Sequence, residues 1–295
     1  MTHIFTDEQI TIDPFVDNYF EKKIVPILPK MKNYKIVKDG AISAGKSTGL
    51  EYLYMLFKKY GANIAVLQEY INSDKEIGPK FLGRFISKDI TNATFQNYIL
   101  DTYKSTYNNI IKQNPDYNIM MMERVPDDSI LIFANITNRN SPEDLNEQTL
   151  FALYNKMNQY NKECDFPSYS DPETKFVEFV GAVDDIMINI IDTIVDDIEN
   201  GITKRIIGLS VNTDVCISRI KRRGRKEEQN YDKAYLAQII HSYNEIFRIK
   251  RLNEEAKKEI SSKNMSEEEK MKEYKEIDKK YNIRFTNIGR LIDNF

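Results

Sequence analysis

The chain has 295 residues, a formal net charge of −3 and a hydrophobic fraction of 41%, which is typical of a folded soluble protein and argues against a nucleic-acid binder as a whole. No stretch approaches the roughly 20 apolar residues of a bilayer span, and the acidic start lacks the apolar core of a secretory signal, so we expect no membrane association. Two cysteines are too few for a disulfide framework and favour a reducing compartment such as the cytoplasm. The two histidines are far apart in sequence, which leaves little basis for histidine-based zinc chemistry or a Ser-His-Asp triad.

Short apolar runs alternate with helical patterns along the chain, beginning with a predicted strand at Tyr34–Lys38. After a glycine turn, Leu50, Leu53, Phe57 and Tyr60 recur at helical spacing. Further strands are predicted at Asn63–Leu67, Tyr117–Met122, Arg205–Val211 and Tyr281–Thr286, and helices at Thr94–Ile111 and Val183–Ile198. Strands that alternate with helices predict an α/β fold, a P-loop-type parallel sheet of about five strands flanked by helices.

One large domain is predicted from residue 34 to 295, preceded by an N-terminal extension at 1–33. Residues 250–280 break the composition, because they are rich in Lys and Glu and poor in apolar side chains. Ser266 and Glu269 have the spacing of a capping box, and we interpret this insertion as a solvated surface helix.

The sharpest motif is the segment that begins at Gly40 and matches G-x-x-x-x-G-K-[ST] in full. Its glycines let several backbone N–H groups point at one phosphate, and the following helix N-terminus adds its dipole. Lys46 is expected to reach the terminal phosphates, and the Ser47 hydroxyl to ligate magnesium. The predicted ATP-binding residues are Gly40, Ala41, Ile42, Ser43, Ala44, Gly45, Lys46, Ser47 and Thr48. The loop alone does not distinguish a kinase from an ATPase or a GTPase.

Charged residues follow two further predicted strands. Glu69 comes after the second strand, where its carboxylate could accept a proton from an attacking hydroxyl or simply cap a helix or face solvent. Glu123 and Arg124 leave the third strand together. They form either a plain ion pair, or a magnesium partner and a cation that faces the reacting oxygens.

A basic run follows the strand predicted at 205–211. Six of the eight residues from Arg219 to Lys226 are basic, and Glu227 and Glu228 follow directly. A nucleic-acid or localisation patch is the usual interpretation of such a run. Arginines three or four residues apart share a helix face, however, and that arrangement also suits a lid, here residues 219–230, that closes over a triphosphate.

Over residues 34–247 the chain resembles the deoxynucleoside kinases, the family of deoxycytidine, deoxyguanosine and insect multisubstrate deoxynucleoside kinases. The phosphate loop is not specific to this family. The R-x-x-x-R-x-R-x-E-E pattern from Arg219 to Glu228 is far more specific, as is Thr94-Phe95-Gln96. The resemblance implies phosphoryl transfer from ATP, with Mg²⁺, to the 5′-hydroxyl of a deoxynucleoside in nucleotide salvage, by a homodimer.

The resemblance also implies roles for residues on the nucleoside side. Glu69 is similar to the general base, Gln96 to the amide that reads the base edge, Phe133 to the aromatic that stacks on the base, and Glu228 to the acid that holds the 3′-hydroxyl. Read without the family, Gln96 would be a solvent-facing helix residue and Phe133 a core residue.

Charged residues around the phosphates also have family counterparts. Arg124 is similar to the arginine near the 5′-oxygen, and Glu123 to the acid near magnesium. Arg223 and Arg225 match the lid arginines, and Arg219 matches an arginine at the root of the lid.

Several positions depart from the family pattern. Val125 replaces a serine after the E-R pair, and Phe85 replaces a tyrosine that shares the 3′-hydroxyl. Tyr103 and Ser129 occupy the positions of an Arg–Asp pair that cytidine and purine enzymes use. Without that pair, the pocket resembles the pyrimidine-tolerant members, which favours thymidine or deoxycytidine.

Three alternatives stay open from the sequence. A nucleoside monophosphate kinase has the same loop and lid but needs extra cations for the acceptor phosphate. A non-catalytic structural relative would be free to lose Lys46, Glu69 and the lid arginines, which are all present. A nucleic-acid-binding role for residues 219–226 predicts salt-sensitive DNA binding.

Overall fold

The computed structural model describes residues 4–5, 10–73, 76–181, 183–223 and 233–281. The strands are β1 (Tyr34–Gly40), β2 (Ile64–Leu67), β3 (Ile119–Glu123), β4 (Lys175–Val180) and β5 (Lys204–Ser210). The helices are α1 (Pro14–Lys23), α2 (Lys46–Lys59), α3 (Tyr70–Ser73), α4 (Ile77–Ile86), α5 (Asn92–Gln113), α6 (Pro126–Asp128), α7 (Asn135–Asn140), α8 (Glu147–Glu163), α9 (Val183–Glu199), α10 (Thr213–Arg223), α11 (Lys233–Ser261) and α12 (Glu267–Lys280). A 3₁₀ turn lies at Leu28–Lys30, and a π-helical segment joins α6 to α7 at Ser129–Ala134.

The five strands form one parallel sheet in the order β2-β3-β1-β5-β4. This topology confirms the predicted α/β fold and its number of strands. Because β1 is central, the loop that follows it lies between the carboxyl ends of β3 and β5. Ligands of open parallel sheets bind at this edge.

Both faces of the sheet are covered by apolar side chains. Ile36, Met121 and Ile207 pack on one face in a cluster that also contains residues of α1, α2 and α9. Their neighbours in sequence, such as Val37 and Met122, pack on the other face with residues of α5 and α11. Met is a poor β-former, so burial on both faces, rather than strand propensity, explains the strand at β3.

The helix predicted after the glycine turn is confirmed as α2. Leu50, Leu53 and Phe57 are fully buried, as their spacing predicts. Gly61 has a φ of +78°, a left-handed conformation that glycine adopts readily and that ends the helix.

The sequence patterns do not predict one strand of the sheet, β4. The strand predicted at Tyr281–Thr286 is not part of the described sheet. The edge strand β4 has a single buried residue, Phe176, whereas Val180 is 75% exposed, so it lacks a continuous apolar run. In place of the strand predicted to begin at Tyr281, this residue caps the C-terminus of α12, and 282–286 lie outside the described residues.

The first and last described helices pack differently. In α1, Phe20 meets Phe57 edge-on at 4.9 Å between ring centroids, and Tyr19 donates to Asp192 Oδ1 at 2.6 Å. In α12 the capping box of Ser266 and Glu269 forms, and no residue of this helix is buried, as expected for a solvated surface helix. For residues 250–261 the expectation is wrong, because they belong to α11 and include the buried Lys250 and Asn253. None of the helices in the described ranges has both the length and the apolar character of a membrane span.

Candidate active site

The phosphate loop runs from the end of β1 into α2 in a backbone conformation that requires glycine. Gly40 and Gly45 have φ angles of +139° and +96°. A Cβ atom on Gly40 would lie 2.5 Å from the carbonyl oxygen of Leu209, which is closer than real contacts allow. Lys46 is 4% exposed, and its Nζ donates to the carbonyl oxygen of Ala41 at 2.8 Å. The ammonium therefore lies inside the loop, where a phosphate would be cradled.

Oxygen atoms suited to a magnesium ion lie beside the loop. Ser47 Oγ donates to Glu123 Oε1 at 2.9 Å. Glu123 is 4% exposed, and its second oxygen, Oε2, is buried with no hydrogen-bond partner among the described residues. A hydroxyl and an unsatisfied carboxylate oxygen are the hard ligands that Mg²⁺ prefers, and phosphate oxygens usually complete such a site. The residues present therefore fit the Mg²⁺ ion that the resemblance implies.

Glu69 and Arg124 meet at the same edge of the sheet. Arg124 Nη1 donates to Glu69 Oε1, and the two side chains are only 9% and 13% exposed respectively. The Arg124 guanidinium also lies over the ring of Phe133, at 5.4 Å from its centroid. The alternative of a plain ion pair between Glu123 and Arg124 is wrong, because these neighbours have different partners. The structure thus brings together a carboxylate, a cation and an aromatic ring beside the phosphate loop.

A cluster of buried acids, which the sequence analysis missed, lies behind Arg124. Tyr169 donates to Asp39 Oδ2, and Asp39 Oδ1 accepts from the backbone N–H of Gly40 at 2.7 Å. Burial and the neighbouring Asp39 raise the pKa of Asp128 well above its ordinary value. Burial opposes the charge on Arg124, but Tyr243 and the two acids outweigh that effect and raise the pKa of the guanidinium. In the sequence, the one indication of this cluster is that Asp39 directly precedes Gly40, the first residue of the phosphate loop.

Asp127, which precedes Asp128, allows the effect of burial on the pKa of these acids to be tested. It accepts hydrogen bonds from Ser168 Oγ at 2.6 Å, Asn161 Nδ2 at 2.8 Å and Tyr169 N at 3.2 Å, yet burial raises its pKa from 3.8 to about 6. Since the folded-state pKa is the higher one, this group stabilises the fold below pH 4, and the contribution is lost as the pH rises from about 4 to about 6.

We expect Asp127→Asn to remove this pH dependence, because an amide does not ionise in this range. The free energy of unfolding of the variant minus that of the wild type should rise by about 2.4 kcal/mol between pH 4 and pH 7. The new amide at position 127 would face the Asn161 amide, which is the donor to Asp127 in the wild type. Asn161 Oδ1 has no hydrogen-bond partner within the described ranges, so a flip of the Asn161 amide lets this oxygen accept from the new side chain. Urea unfolding at four pH values measures the difference, and a constant difference would contradict the assignment.

Several residues predicted for the nucleoside lie on the helix α5 or pack against it. Gln96 is 1% exposed, and its Oε1 has no hydrogen-bond partner among the residues described. The solvent-facing interpretation of Gln96 is therefore wrong. Phe85 stacks on Phe95 with centroids 4.6 Å apart and planes 4° apart, and Tyr70 meets Phe95 edge-on at 5.4 Å. These rings pack against one another, and Phe95 directly precedes Gln96, whose amide oxygen is unsatisfied among the described residues.

Two positions that replace the family's Arg–Asp pair are buried. The Tyr103 hydroxyl donates to the carbonyl oxygen of Glu123 at 3.2 Å, so this residue supports the end of β3. Ser129 is 4% exposed and begins the π-helical segment that also carries Phe133. Such segments are frequent at functional sites.

Only the root of the predicted lid is described in atomic detail. Arg219 Nη1 donates to the carbonyl oxygen of Ser43 at 3.1 Å and so contacts the phosphate loop directly. The side chain of Arg223, together with Arg225 and Glu228, lies outside the described residues.

A phosphate loop after the central strand of a parallel sheet, with an acid and an arginine at the same edge, defines an α/β fold of the P-loop kinase type. The family model described as deoxynucleoside kinase matches residues 180–286, a segment that contains the predicted lid. Over this segment the chain is similar to the deoxynucleoside kinases, in agreement with the resemblance that its motifs carry.

Two solved structures similar to this chain are of deoxyadenosine kinase from M. mycoides. One contains bound dATP; it is 20% identical, covers 72% of this chain and 84% of its own, and has a TM-score of 0.39. The other contains the products dCMP and a flexible dCDP. It is 20% identical, the match covers 72% of this chain and 83% of that one, and the TM-score is 0.43. No curated protein matches the chain.

Proposed function

We propose that this enzyme transfers the γ-phosphoryl group of ATP to the 5′-hydroxyl of a deoxynucleoside. The observation that carries the proposal is the pairing of Glu69, after β2, with Arg124, after β3, at the edge where the phosphate loop leaves β1. A carboxylate there lies between a bound triphosphate and an alcohol that approaches from the aromatic surface of α4 and α5. The match of residues 180–286 to the deoxynucleoside kinase family model supports the same reaction.

The proposed mechanism assigns one task to each group. Glu69 accepts the proton of the 5′-hydroxyl as that oxygen attacks the γ-phosphorus in line. Lys46, with the lid residues Arg223 and Arg225, holds the oxygens of the transferred group, and Arg124 holds Glu69 and the 5′-oxygen in place. Bound Mg²⁺, held by Ser47 and Glu123, would neutralise charge on the phosphates. Most of the catalysis is then positioning and charge stabilisation.

A pyrimidine deoxynucleoside, thymidine or deoxycytidine, is the substrate we propose. Gln96 offers an unsatisfied amide to a base edge, since an amide both donates and accepts. The cytidine and purine enzymes have a charged Arg–Asp pair, whereas this chain has Tyr103 and Ser129 at those positions. The Tyr103 hydroxyl donates to a backbone carbonyl instead. Phe133 would stack on the base, and Glu228 would hold the sugar 3′-hydroxyl.

A panel of the four deoxynucleosides and thymidylate, each with ATP and Mg²⁺, tests this function. We expect 5′-monophosphates from the pyrimidine deoxynucleosides and no diphosphate from thymidylate, as identified by mass spectrometry. Phosphorylation of thymidylate alone would instead establish a nucleoside monophosphate kinase. ATP binding without turnover on any acceptor would favour a non-catalytic relative, and salt-sensitive DNA binding without ATP would favour a nucleic-acid role for residues 219–226.

Phe85→Tyr is expected to strengthen discrimination for the sugar 3′-hydroxyl. The change restores the hydroxyl that the family places here, on a ring that already stacks on Phe95. One hydrogen bond contributes about 0.5–1.5 kcal/mol, so the ratio of kcat/KM for thymidine over 2′,3′-dideoxythymidine should rise roughly two- to tenfold. An unchanged ratio would place Phe85 away from the sugar. Phe151→Tyr, on an exposed position of α8, is the matched control.

We propose the cytoplasm as the setting of the reaction and a homodimer as the assembly. Cys164 and Cys216 are buried free thiols, in keeping with a reducing compartment. The homodimer rests on the family resemblance, and sedimentation at micromolar concentration measures it.

A further inference from the structure

A tyrosine from the helix α11 lies directly behind the proposed catalytic pair. Tyr243 is 1% exposed, and its hydroxyl accepts a hydrogen bond from Arg124 Nε at 3.1 Å. The same hydroxyl donates to Asp128 Oδ2 at 2.9 Å. Because a hydroxyl has one proton, its bond to Asp128 directs an oxygen lone pair toward the guanidinium. The series Asp128–Tyr243–Arg124–Glu69 is therefore continuous in hydrogen bonds.

Arg124 needs such support to hold its position. Its backbone has a φ of +64°, a left-handed conformation that is unfavourable for a residue other than glycine. The side chain has several rotatable bonds, and only Nη1 contacts Glu69. The Tyr243 hydroxyl fixes the opposite side of the guanidinium, at Nε, so that the Nη1 group faces the carboxylate.

We propose that Tyr243 is a positioning residue for phosphoryl transfer, because its hydroxyl, oriented by Asp128, holds Arg124 against Glu69. The inference rests on the proposed function and adds a residue to it. Tyr243 touches neither nucleotide nor nucleoside in this role; it acts through Arg124. Its ring packs against Phe247, with centroids 5.7 Å apart, so the ring and the hydroxyl have separable roles.

Tyr243→Phe tests the proposal because it removes the hydroxyl and keeps the ring. We expect kcat to fall roughly ten- to hundredfold, the effect of losing a hydrogen bond to a charged group, with KM for ATP unchanged. Tyr34→Phe is the matched control: Tyr34 is also fully buried and donates to a buried carboxylate, Asp197, at 2.7 Å, at the opposite end of β1. This control should lose comparable stability and keep kcat.

A double-mutant cycle distinguishes positioning from general loss of structure. On an Arg124→Lys background, Tyr243→Phe should lower kcat by less than about threefold, because the bond to Nε no longer exists. Asp128→Ala should lower kcat as Tyr243→Phe does, whereas Asp128→Asn, which keeps an acceptor oxygen, should restore most of the rate. If Tyr243→Phe folds poorly, this Ala–Asn pair decides the question.

Each outcome bears on a different claim. Full activity of Tyr243→Phe, or an equal loss on both backgrounds, would overturn the positioning role while the proposed function stands. A wild-type enzyme that phosphorylates no deoxynucleoside would overturn the proposed function and this inference together.

Discussion

Replacing Glu69 with glutamine is expected to lower kcat by about 10²–10⁴-fold, the usual contribution of a general base. Glutamine has nearly the same size and keeps an oxygen that Arg124 can contact, but it does not accept the proton of the 5′-hydroxyl. Because Glu69 pairs with Arg124, whereas Lys46 donates to Ala41 within the phosphate loop, ATP should bind with unchanged affinity. Steady-state rates at saturating thymidine and calorimetry with ATP measure the two effects.

The control for this prediction is an ordinary surface carboxylate. Glu143 is exposed in the loop that precedes α8, and Glu143→Gln should leave kcat unchanged. A near-normal rate for Glu69→Gln would show that another group accepts the proton. A large loss of ATP affinity would show that Glu69 belongs to the phosphate site instead.

Replacing Lys38 with methionine is expected to stabilise the fold by about 4 kcal/mol at pH 7, as an upper estimate. The Lys38 side chain is fully buried next to α2, and its Nζ has no hydrogen-bond partner among the described residues. A Cβ atom on Gly49 would lie 1.8 Å from this Nζ, so the glycine leaves the space that the ammonium fills. Methionine is similarly long and needs no partner.

The pH dependence of this gain follows from the lysine. Burial lowers the pKa of Lys38 from 10.5 to about 7, so the folded state disfavours the charged form that the unfolded chain adopts. The penalty is large at pH 7 and disappears as the pH rises to about 10.5, so the advantage of methionine should shrink steadily over that interval.

Urea unfolding at pH 7, 8.5 and 10 measures the effect. Lys112→Met, at an exposed position of α5, is the control and should change stability by less than about 0.5 kcal/mol. A wild type that is more stable than Lys38→Met at pH 7 would mean that the ammonium has an energetically important partner.

The backbone of the site could be predicted from sequence because local rules determine it. The phosphate loop has a fixed glycine and lysine spacing, and the strands at β1, β2, β3 and β5 are apolar runs long enough to recognise. The edge strand β4 could not be recognised in this way, because only one of its residues is buried and a glutamate interrupts its apolar residues.

The polar interior could not be predicted, because it depends on contacts between residues distant in sequence. Nothing around Tyr243 indicates that its hydroxyl meets Arg124, 119 residues earlier. Lys38 interrupts an apolar strand in a way that sequence alone does not explain. Gln96 lies on a helix whose polar residues are mostly exposed, and only tertiary packing shows that its amide is buried.

A crystal structure with thymidine and a non-hydrolysable ATP analogue tests the central claim most directly. We expect a Glu69 oxygen within about 3 Å of the nucleoside 5′-oxygen, and that oxygen in line with the terminal phosphate over the loop that begins at Gly40. A ternary complex in which Glu69 points into bulk solvent, or in which the sugar lies away from the phosphate loop, would contradict the account.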